Sequence, residues 1–270
     1  ADAKYRVYVT GSNAKMLSKE VATTLGGRFF IYDAYPYSFK EYLTAQQVEL
    51  REHWEYDTIQ RSEVKRHLNE YFYYGGLPEI LSFKNKRAML SSLYQKIYLG
   101  DICARNNIKN DRVLNILIKK MAESVKQPLS YNRLKNVIVS TGSPISVPTT
   151  IDYVDYASDS WLILPMENEV GKLTEKEMQK KYYFVDNGLL NLFLMNSETS
   201  LLENMVAVEL CRRFGKKNVF FLNAEKEIDF IVPDEKLAIQ VSYSIKDETT
   251  YNREVPPLAK YAKAHENWKC

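Results

Sequence analysis

The amino-acid sequence predicts a mixed α/β chain, and three observations favour this class. A strand–helix–strand pattern stands near the start, three helices followed by a β-ribbon stand in the middle, and short apolar strands between two helices stand near the end. Hydrophobic residues make up 45% of the 270 residues, which is enough to bury a sizeable core. The sequence therefore predicts a folded chain and not a disordered one.

The first pattern covers residues 5–31. Residues 5–9 are typical of a strand, residues 13–25 carry apolar side chains at helical spacing, Gly26 and Gly27 end that helix, and residues 29–31 begin a second strand. Strands joined by one helix lie parallel to each other, and a parallel sheet needs cover on both faces. Two such strands cannot form a stable doubly wound domain by themselves.

The middle of the chain is predicted to be mainly helical. Residues 38–45 and 59–73 are expected to form helices, and the glycine and proline cluster 75–78 breaks the chain before another long helix at about 87–106. Three further helices follow, the last with Pro148 at its start, and then two strands. This order is that of a winged helix-turn-helix. The three helices are 112–125, 131–139 and 149–158, and the strands are 161–166 and 182–185.

From residue 200 the pattern changes to that of an α/β sheet domain. A strongly apolar helix comes first, three short strands separated by polar turns follow, and a further helix comes last. The expected elements are helix 201–213, strands 219–222, 228–232 and 238–241, and a helix near 257–265.

Composition argues against several classes of protein. No apolar run is long enough to span a membrane, so no membrane partner is predicted. The three cysteines are far apart and odd in number, which favours free thiols in the cytoplasm over a disulfide framework. The three histidines match no metal-ligand spacing. A net charge of +3 is too small to indicate a nucleic-acid partner by itself.

Four stretches of the sequence carry a family resemblance when they are taken together. They read "VTGSNAKMLS", "LGGRFF", "YGGLPE" and "ENMVAVEL…EIDFIV…IQVSYS". In this order and spacing they resemble a bacterial and archaeal family of AAA+-like P-loop ATPases, and the resemblance covers nearly the whole chain. Members of that family join an ATPase module to a C-terminal domain of unknown function that looks like the PD-(D/E)XK nuclease fold.

The resemblance implies four parts of the chain. Residues 1–45 would be the C-terminal remnant of the AAA+ ATPase core, including a β-α-β unit of the P-loop fold. Residues 46–108 would form a helical lid or connector, and residues 109–186 a winged-helix-like domain. Residues 187–270 would form a truncated domain similar to restriction endonucleases.

The phosphate-binding loop G-x-x-x-x-G-K-[ST] is absent from the sequence. None of the ten glycines starts it, and Gly11 is followed by Lys15 without a second glycine. In the resembled family this loop and the acidic magnesium strand precede the "VTGSN" strand. The chain is therefore interpreted as the C-terminal portion of an ATPase that binds ATP and Mg²⁺, with the missing N-terminal ATPase module as its partner and a homo-oligomer or another protein as a further partner. The portion itself is expected to bind no cofactor and not to hydrolyse ATP.

Five residues are candidates for nucleotide chemistry by resemblance. Ser12 and Asn13 stand at the sensor 1 position, which orients the attacking water, although they also suit a helix N-cap. Arg28 matches an arginine finger that stabilises charge on the transferred phosphate, although it equally suits a surface position after a helix. Gly76 and Pro78 match a GxP element of the lid near the nucleotide, although they also suit a simple interhelical turn.

The C-terminal part offers a degenerate nuclease-like metal site. Nucleases of the resembled fold combine a helix acid, a strand acid and an acid-x-lysine, whose carboxylates hold a metal ion. Glu203 and Asp229 fit the two acids, but Gln240 replaces the second strand acid and Ser242 replaces the lysine. An amide is a poorer ligand for a hard cation, and Lys246 lies about 13 Å too far along the strand to substitute. The resemblance therefore implies a retained fold with an idle pocket.

Two charged stretches bear on nucleic-acid binding. The third helix of the predicted winged helix carries Asp152, Asp155 and Asp159 and no lysine or arginine, which would repel phosphate. A basic cluster after the apolar helix is interpreted as solvated surface; it consists of Arg212, Arg213, Lys216 and Lys217. The favoured function is thus a nucleotide-driven switch in the parent ATPase, with a protein-facing connector. The alternative is a nucleic-acid-binding protein or an active metal-dependent nuclease.

Overall fold

A computed structural model of the protein describes residues 8–11, 28, 30–224 and 227–270. Within these residues the chain combines α-helices with two three-stranded antiparallel sheets. The predicted mixed α/β class is therefore confirmed. Neither sheet contains the parallel neighbours that a doubly wound domain requires.

The N-terminal pattern is only partly covered by the described residues. The predicted helix 13–25 and most of the predicted strand 5–9 lie outside them. Residues 30 and 31, which were expected to begin the second strand, belong to no helix or strand and are exposed. A strand needs a hydrogen-bonded neighbour, and the structure records none for these two residues among those it describes. Most of the predicted β-α-β unit thus lies outside the described residues.

Most predicted helices are present and are bounded by side-chain caps. Ser38 and Glu41 form a capping box at the first described helix, and Asp57 accepts hydrogen bonds from two main-chain N–H groups at the second. Ser130 and Ser146 each accept one main-chain N–H group at two later helices. The helices up to residue 159 are α1 (Phe39–Ala45), α2 (Thr58–Tyr74), α3 (Lys86–Gln95), α4 (Asp111–Glu123), α5 (Tyr131–Ser140) and α6 (Val147–Asp159).

Two of the predicted helical boundaries are wrong. The helix expected at about 87–106 is α3 followed by a π-helix, Lys96–Ala104, in which the main-chain hydrogen bonds shift by one residue. The helix expected near 257–265 begins nine residues earlier, because Asp247 caps it at Thr250 and the chain continues through Pro256 and Pro257. The remaining helices are α7 (Leu173–Met178), α8 (Asn187–Asn191), α9 (Glu198–Phe214) and α10 (Glu248–Ala264).

The first sheet has the order β1-β3-β2 and contains the predicted ribbon. Its strands are β1 (Leu129–Ser130), β2 (Ile163–Met166) and β3 (Gln179–Phe184). Met166 lies opposite Lys181, and Ile163 lies opposite Phe184. Helices α4, α5 and α6 precede this ribbon, so the expected order of three helices and two paired strands is present.

The second sheet has the order β4-β5-β6. Its strands are β4 (Phe220–Asn223), β5 (Glu227–Val232) and β6 (Leu237–Ile239). The main chain after β2 joins the two sheets, because Glu169 N donates to Phe221 O at 2.8 Å and Phe221 N donates to Glu167 O at 3.0 Å. Lys181 on β3 is thereby brought close to β4 and β5.

One hydrophobic core extends from α2 to β5. It crosses the expected boundaries at residues 108 and 186 without interruption, and α9 packs on both β3 and β5. Asn204 on α9 fixes this packing, because its buried amide accepts from Phe184 N at 2.7 Å and donates to Phe184 O at 3.0 Å. No helix of the described residues has the length and apolar character needed to cross a bilayer.

Candidate functional site

The Gly-Gly-Leu-Pro sequence at the end of α2 forms a tight turn around one buried carboxylate. Asp186 Oδ2 accepts from Gly76 N at 2.8 Å, and its Oδ1 accepts from Gly188 N at 2.8 Å and Leu189 N at 3.3 Å. The carboxylate therefore caps α8 and holds the turn that follows α2, although 110 residues separate Gly76 from Asp186. We call Asp186 with Gly75, Gly76 and Gly188 the Asp186 joint.

Three positions of the Asp186 joint have room only for glycine. A Cβ atom on Gly75 would lie 2.0 Å from Asp186 Oδ1, and one on Gly76 would lie 2.3 Å from Tyr37 O. A Cβ atom on Gly188 would lie 2.1 Å from Tyr74 O. Gly75 also has φ +77°, a conformation that residues with a side chain rarely adopt. Close approach of main chain and carboxylate is thus the local reason for these glycines.

Burial dominates the electrostatics of Asp186. It raises the pKa of this carboxyl to about 6, and the N–H donors of Gly76, Gly188 and Leu189 oppose the shift by stabilising the ionised form. A buried carboxylate with main-chain donors at these distances stays where it is, because moving it would leave both the charge and the donors without partners.

A short linker crosses the Asp186 joint; it consists of residues 33–38. Tyr37 N donates to Gly76 O at 2.8 Å, and the Tyr71 hydroxyl donates to Tyr37 O at 2.8 Å. Arg212 at the end of α9 donates to Pro36 O at 2.7 Å. The linker is therefore held through its main chain by α2, by the glycine turn and by α9.

Side chains add a second set of contacts to the linker. The Tyr35 ring meets the Trp161 ring edge to face with centroids 5.5 Å apart. Lys216 Nζ lies 4.1 Å from the centre of the Trp161 ring and 3.5 Å from Asp33 Oδ2. The interpretation of the basic cluster as solvated surface is thus wrong for Arg212 and Lys216, because both bind the linker.

The space between the linker, α2 and α9 is a very small cavity. Its volume is about 10 Å³, and Tyr71, Gly76, Asp186 and Arg212 line it. This is about the size of one water molecule and far below the volume of a nucleotide pocket. The described residues around Gly76 therefore do not form a nucleotide site by themselves, and Pro78 begins a short 3₁₀ helix, Pro78–Ile80.

A second group of charged residues surrounds Lys181 on β3. The Lys181 side chain is completely buried, and its Nζ lies 3.0 Å from Glu227 Oε1, 3.2 Å from Glu203 Oε1 and 3.6 Å from Asp229 Oδ1. The Tyr183 hydroxyl donates to Glu203 Oε1 at 2.8 Å. We call Lys181, Glu203, Glu227 and Asp229 the lysine pocket.

Two residues of the expected metal site belong to this pocket, and the third lies next to it. Glu203 and Asp229 contact Lys181, and Gln240 Oε1 accepts from Asp229 N at 3.2 Å. Gln240 Nε2 in turn donates to Glu254 on α10. Asp229 Oδ2 accepts from Val241 N at 2.8 Å. The structure therefore brings Glu203, Asp229 and Gln240 together, but it does so around an ammonium group.

Opposing charges set the protonation of the lysine pocket. Burial raises the pKa of Asp229 to about 7, Glu203 adds to that rise, and Lys181 opposes it. Burial alone would lower the pKa of Lys181, but Glu203, Asp229 and Glu227 raise it above its ordinary value. Among the described residues, no group of three or more His, Cys, Asp or Glu side chains is arranged to hold a metal ion.

Of the sequence-based candidates near the N terminus, Ser12 and Asn13 lie outside the described residues. Arg28 is exposed and belongs to no helix or strand. Ser242, at the position where the resembled nucleases have lysine, donates from its hydroxyl to Ser244 O at 3.0 Å within its own loop.

Lys181 and Asp186 are the residues that sequence analysis missed. The predicted strand began at residue 182 and left Lys181 outside. The local signal was the alternation in "KKYYFVDNG", since residues 181 and 183 share one face of a strand. A lysine and a tyrosine on the buried face of an otherwise apolar strand indicate a buried polar partner.

Models of two known families match parts of this chain. The model of a family described as "Domain of unknown function (DUF8612)" matches residues 65–200, which is half of the chain. The chain belongs to the DUF8612 family. The matched DUF8612 region contains the glycine turn, Lys181, Tyr183 and Asp186. A model described as "AAA domain" matches residues 1–43, and this match relates the chain to AAA-type ATPases. The linker lies in the last part of the matched range.

Two curated relatives of this DUF8612 chain are uncharacterized proteins. One, from Methanocaldococcus jannaschii, is 31% identical over 271 residues, which cover 97% of this chain and 60% of the relative. The other, from Haemophilus influenzae, is 33% identical over 251 residues, which cover 90% of this chain and 60% of the relative. The chain thus spans about 60% of the length of the relatives it matches. No solved structure matches it significantly.

Proposed function

We propose that this DUF8612 chain is the effector portion of an AAA-type ATPase and works as a molecular switch. The observation that carries the proposal is the linker. Residues 33–38 lie in the last part of the AAA match, which ends at residue 43, and are bound through their main chain to Gly76 and Arg212. A change in the position of the AAA part is therefore passed to the Asp186 joint and from there to the shared core.

The geometry favours transmission over independent motion of the two parts. Tyr37 is bonded through both its N–H and its carbonyl, so a shift of the linker by one hydrogen-bond length breaks its contacts with Gly76 and Tyr71. The Asp186 carboxylate is buried and accepts main-chain N–H groups from both segments of the joint, so displacing the turn leaves charge and donors without partners. We assign two states to the joint, docked and undocked, as a switch requires.

Nucleotide chemistry is assigned to the intact protein and not to this chain. The sequence has no phosphate-binding loop, and the cavity beside Gly76 does not fit a nucleotide. In the intact protein we assign Ser12 and Asn13 to sensor 1 and Arg28 to the arginine finger. Gly76 and Pro78 would then belong to a lid that follows the linker.

The region 109–186 is proposed to be a winged helix that faces protein. Its order supports this assignment: α4, the short strand β1, α5 and α6 are followed by the paired strands β2 and β3, with α7 between those two strands. Helix α6, which would enter a DNA groove in such a fold, carries three aspartates and no lysine or arginine. Since phosphate contacts supply most of the affinity of DNA-binding helices, we assign this surface to a protein or interdomain contact.

The decisive test is hydrogen exchange of the natural protein at its full length. ATP is expected to change the exchange of the Tyr37 and Gly76 amides, because Tyr37 N donates to Gly76 O and Gly76 N donates to Asp186 Oδ2 across the joint. Arg212→Ala should weaken this response, whereas Arg213→Ala, which removes a neighbouring arginine without a linker contact, should preserve it. Exchange that is identical with and without ATP in the wild-type protein would exclude the coupling.

A second measurement uses the 270-residue chain alone. We expect it not to hydrolyse ATP, since it lacks the phosphate-binding loop. Steady turnover above the blank that is abolished by Arg28→Ala would contradict the assignment. A mobility shift with DNA at physiological salt that is lost in Arg212→Glu/Arg213→Glu would favour the nucleic-acid alternative instead.

A further inference from the structure

The centre of the lysine pocket is occupied by an ammonium group with matched acceptors. Lys181 Nζ has three N–H donors, and three carboxylates from α9 and β5 lie 3.0 to 3.6 Å from it. Glu203 has a further donor in the Tyr183 hydroxyl, and Asp229 has one in Val241 N. Glu227 is 45% exposed and so keeps contact with water. A single ammonium group thus faces three carboxylates, and neutral donors stabilise two of them further.

A divalent metal does not fit the same place. Mg²⁺ and Ca²⁺ need about six or more oxygen ligands at roughly 2.0 to 2.6 Å, and they prefer carboxylates. Here the carboxylate oxygens of Glu203 and Asp229 already face a cation, and Gln240 offers only an amide that is bonded to Glu254. A metal ion bound between these acids would stand against the positive charge of Lys181 at short distance.

We propose that Lys181 is a built-in cation that takes the place of the divalent metal between Glu203 and Asp229. Its ammonium group joins β3 to α9 and β5, and it closes the pocket to metal ions. Because Lys181 supplies the cation, the pocket depends neither on a metal-binding acid at position 240 nor on a lysine at position 242, where the chain has Gln240 and Ser242. The inference is independent of the coupling through the linker.

The role of Lys181 predicts a gain of metal binding on its removal. Lys181→Met keeps the length of the aliphatic stem but leaves three carboxylates without a counter-charge. We expect the thermal midpoint to fall by roughly 10 °C. Millimolar Mn²⁺ should then raise it by at least about 3 °C, because Mn²⁺ binds the folded state only. The wild-type midpoint should not respond to Mn²⁺.

Lys180→Met is the matched control. Lys180 is the neighbouring residue on β3 and pairs with Glu167 and Glu177 outside the pocket. Its replacement removes the same charge from the same strand, so any general effect of net charge on Mn²⁺ binding appears there too. We expect a smaller loss of stability and no response to Mn²⁺. A merely structural lysine at position 181 would lower the midpoint without creating the response.

A direct Mn²⁺ titration, followed by the electron paramagnetic resonance signal of free Mn²⁺, tests whether the wild-type lysine pocket is closed to metal ions even if Lys181→Met fails to fold. The wild-type chain should leave added Mn²⁺ free. Binding of one Mn²⁺ by the wild-type chain that is lost in Asp229→Asn would overturn the proposal, since the pocket would then accept metal beside the lysine. The same conclusion follows if folded Lys181→Met shows no gain over wild type.

Discussion

Asp186 and Asp229 are both buried aspartates, but the chain compensates them in different ways. Asp186 is held by main-chain N–H groups of two segments, whereas Asp229 contacts the ammonium group of Lys181 and one main-chain N–H group. Main-chain donors fix the path of the backbone at Asp186, and the close approach of the chain segments there leaves room only for glycine at three positions. Side-chain partners leave the backbone less constrained. Bonding by main-chain donors suits a rigid connection between two segments. Bonding by side chains suits a pocket in which one cation can replace another.

The largest expected effect is that of Gly75→Ala. The new Cβ atom would lie 2.0 Å from the Asp186 carboxylate, and the alanine would have to adopt φ +77°. We expect a loss of at least about 4 kcal/mol in the free energy of unfolding, or no folding at all. Urea unfolding followed by circular dichroism measures it.

Gly142→Ala separates the two causes of that loss. Gly142 has φ +82°, but a Cβ atom there would meet nothing within 4 Å. The conformational strain alone should cost about 1 to 2 kcal/mol. Equal losses in the free energy of unfolding in the two alanine variants would mean that the positive φ, and not the contact with Asp186, excludes a side chain at position 75. The comparison between the Asp186 joint and the lysine pocket would then be unfounded.

The next effect concerns the dependence of stability on pH. The pKa of Asp186 in the folded chain is about 6, above the ordinary value of 3.8, so the folded state binds the proton more tightly than the unfolded state. The free energy of unfolding therefore decreases as the pH rises from about 4 to 6. A shift of about two units corresponds to about 3 kcal/mol.

Asp186→Asn tests this sign. The variant should be less stable than wild type, because asparagine cannot accept all the main-chain N–H groups, and the deficit should be larger at pH 4 than at pH 7. The difference between wild type and variant is the quantity to compare, since Asp229 titrates in the same direction. Asp57→Asn is the control, because Asp57 also caps a helix but nearer the surface, and asparagine caps about as well there. A deficit that does not change with pH would refute the assigned shift.

The sequence predicted the helices better than it predicted the functional sites. Helices α4, α5 and α9 have apolar side chains at regular spacing, and caps such as Ser130 mark their ends, so local signals suffice. The π-helix has no such signal, because its apolar residues also fit an α-helix. Helix α10 was placed too late because Pro256 and Pro257 resemble a helix start.

Contacts between residues that are distant in sequence could not be predicted from local patterns, as the lysine pocket and the Asp186 joint show. Glu203, Asp229 and Gln240 were selected by resemblance, and the structure brings them together. Lys181 lies 22 residues from Glu203, which is on α9, and it belongs to a different sheet from Asp229, so no motif connects them. Asp186 likewise meets Gly76 across 110 residues. Only the packing of β3 against α9 and β5, which depends on the whole core, determines these pairs.

The smallest expected effect separates the two arginines at the end of α9. Both bond to Glu209, but Arg212 also donates to Pro36 O at 2.7 Å and is 18% exposed, whereas Arg213 is 65% exposed. Arg212→Ala should cost about 1.5 to 3 kcal/mol, because a charge-assisted hydrogen bond to a partly buried carbonyl is lost. Arg213→Ala should cost less than about 0.5 kcal/mol, since an exposed ion pair contributes little. Exchange of the Tyr37 amide, which is bonded to Gly76 O, reports the linker directly and should accelerate only in Arg212→Ala. If both variants leave it unchanged, the linker is held without Arg212, and the joint depends on Tyr71 and the glycine turn alone.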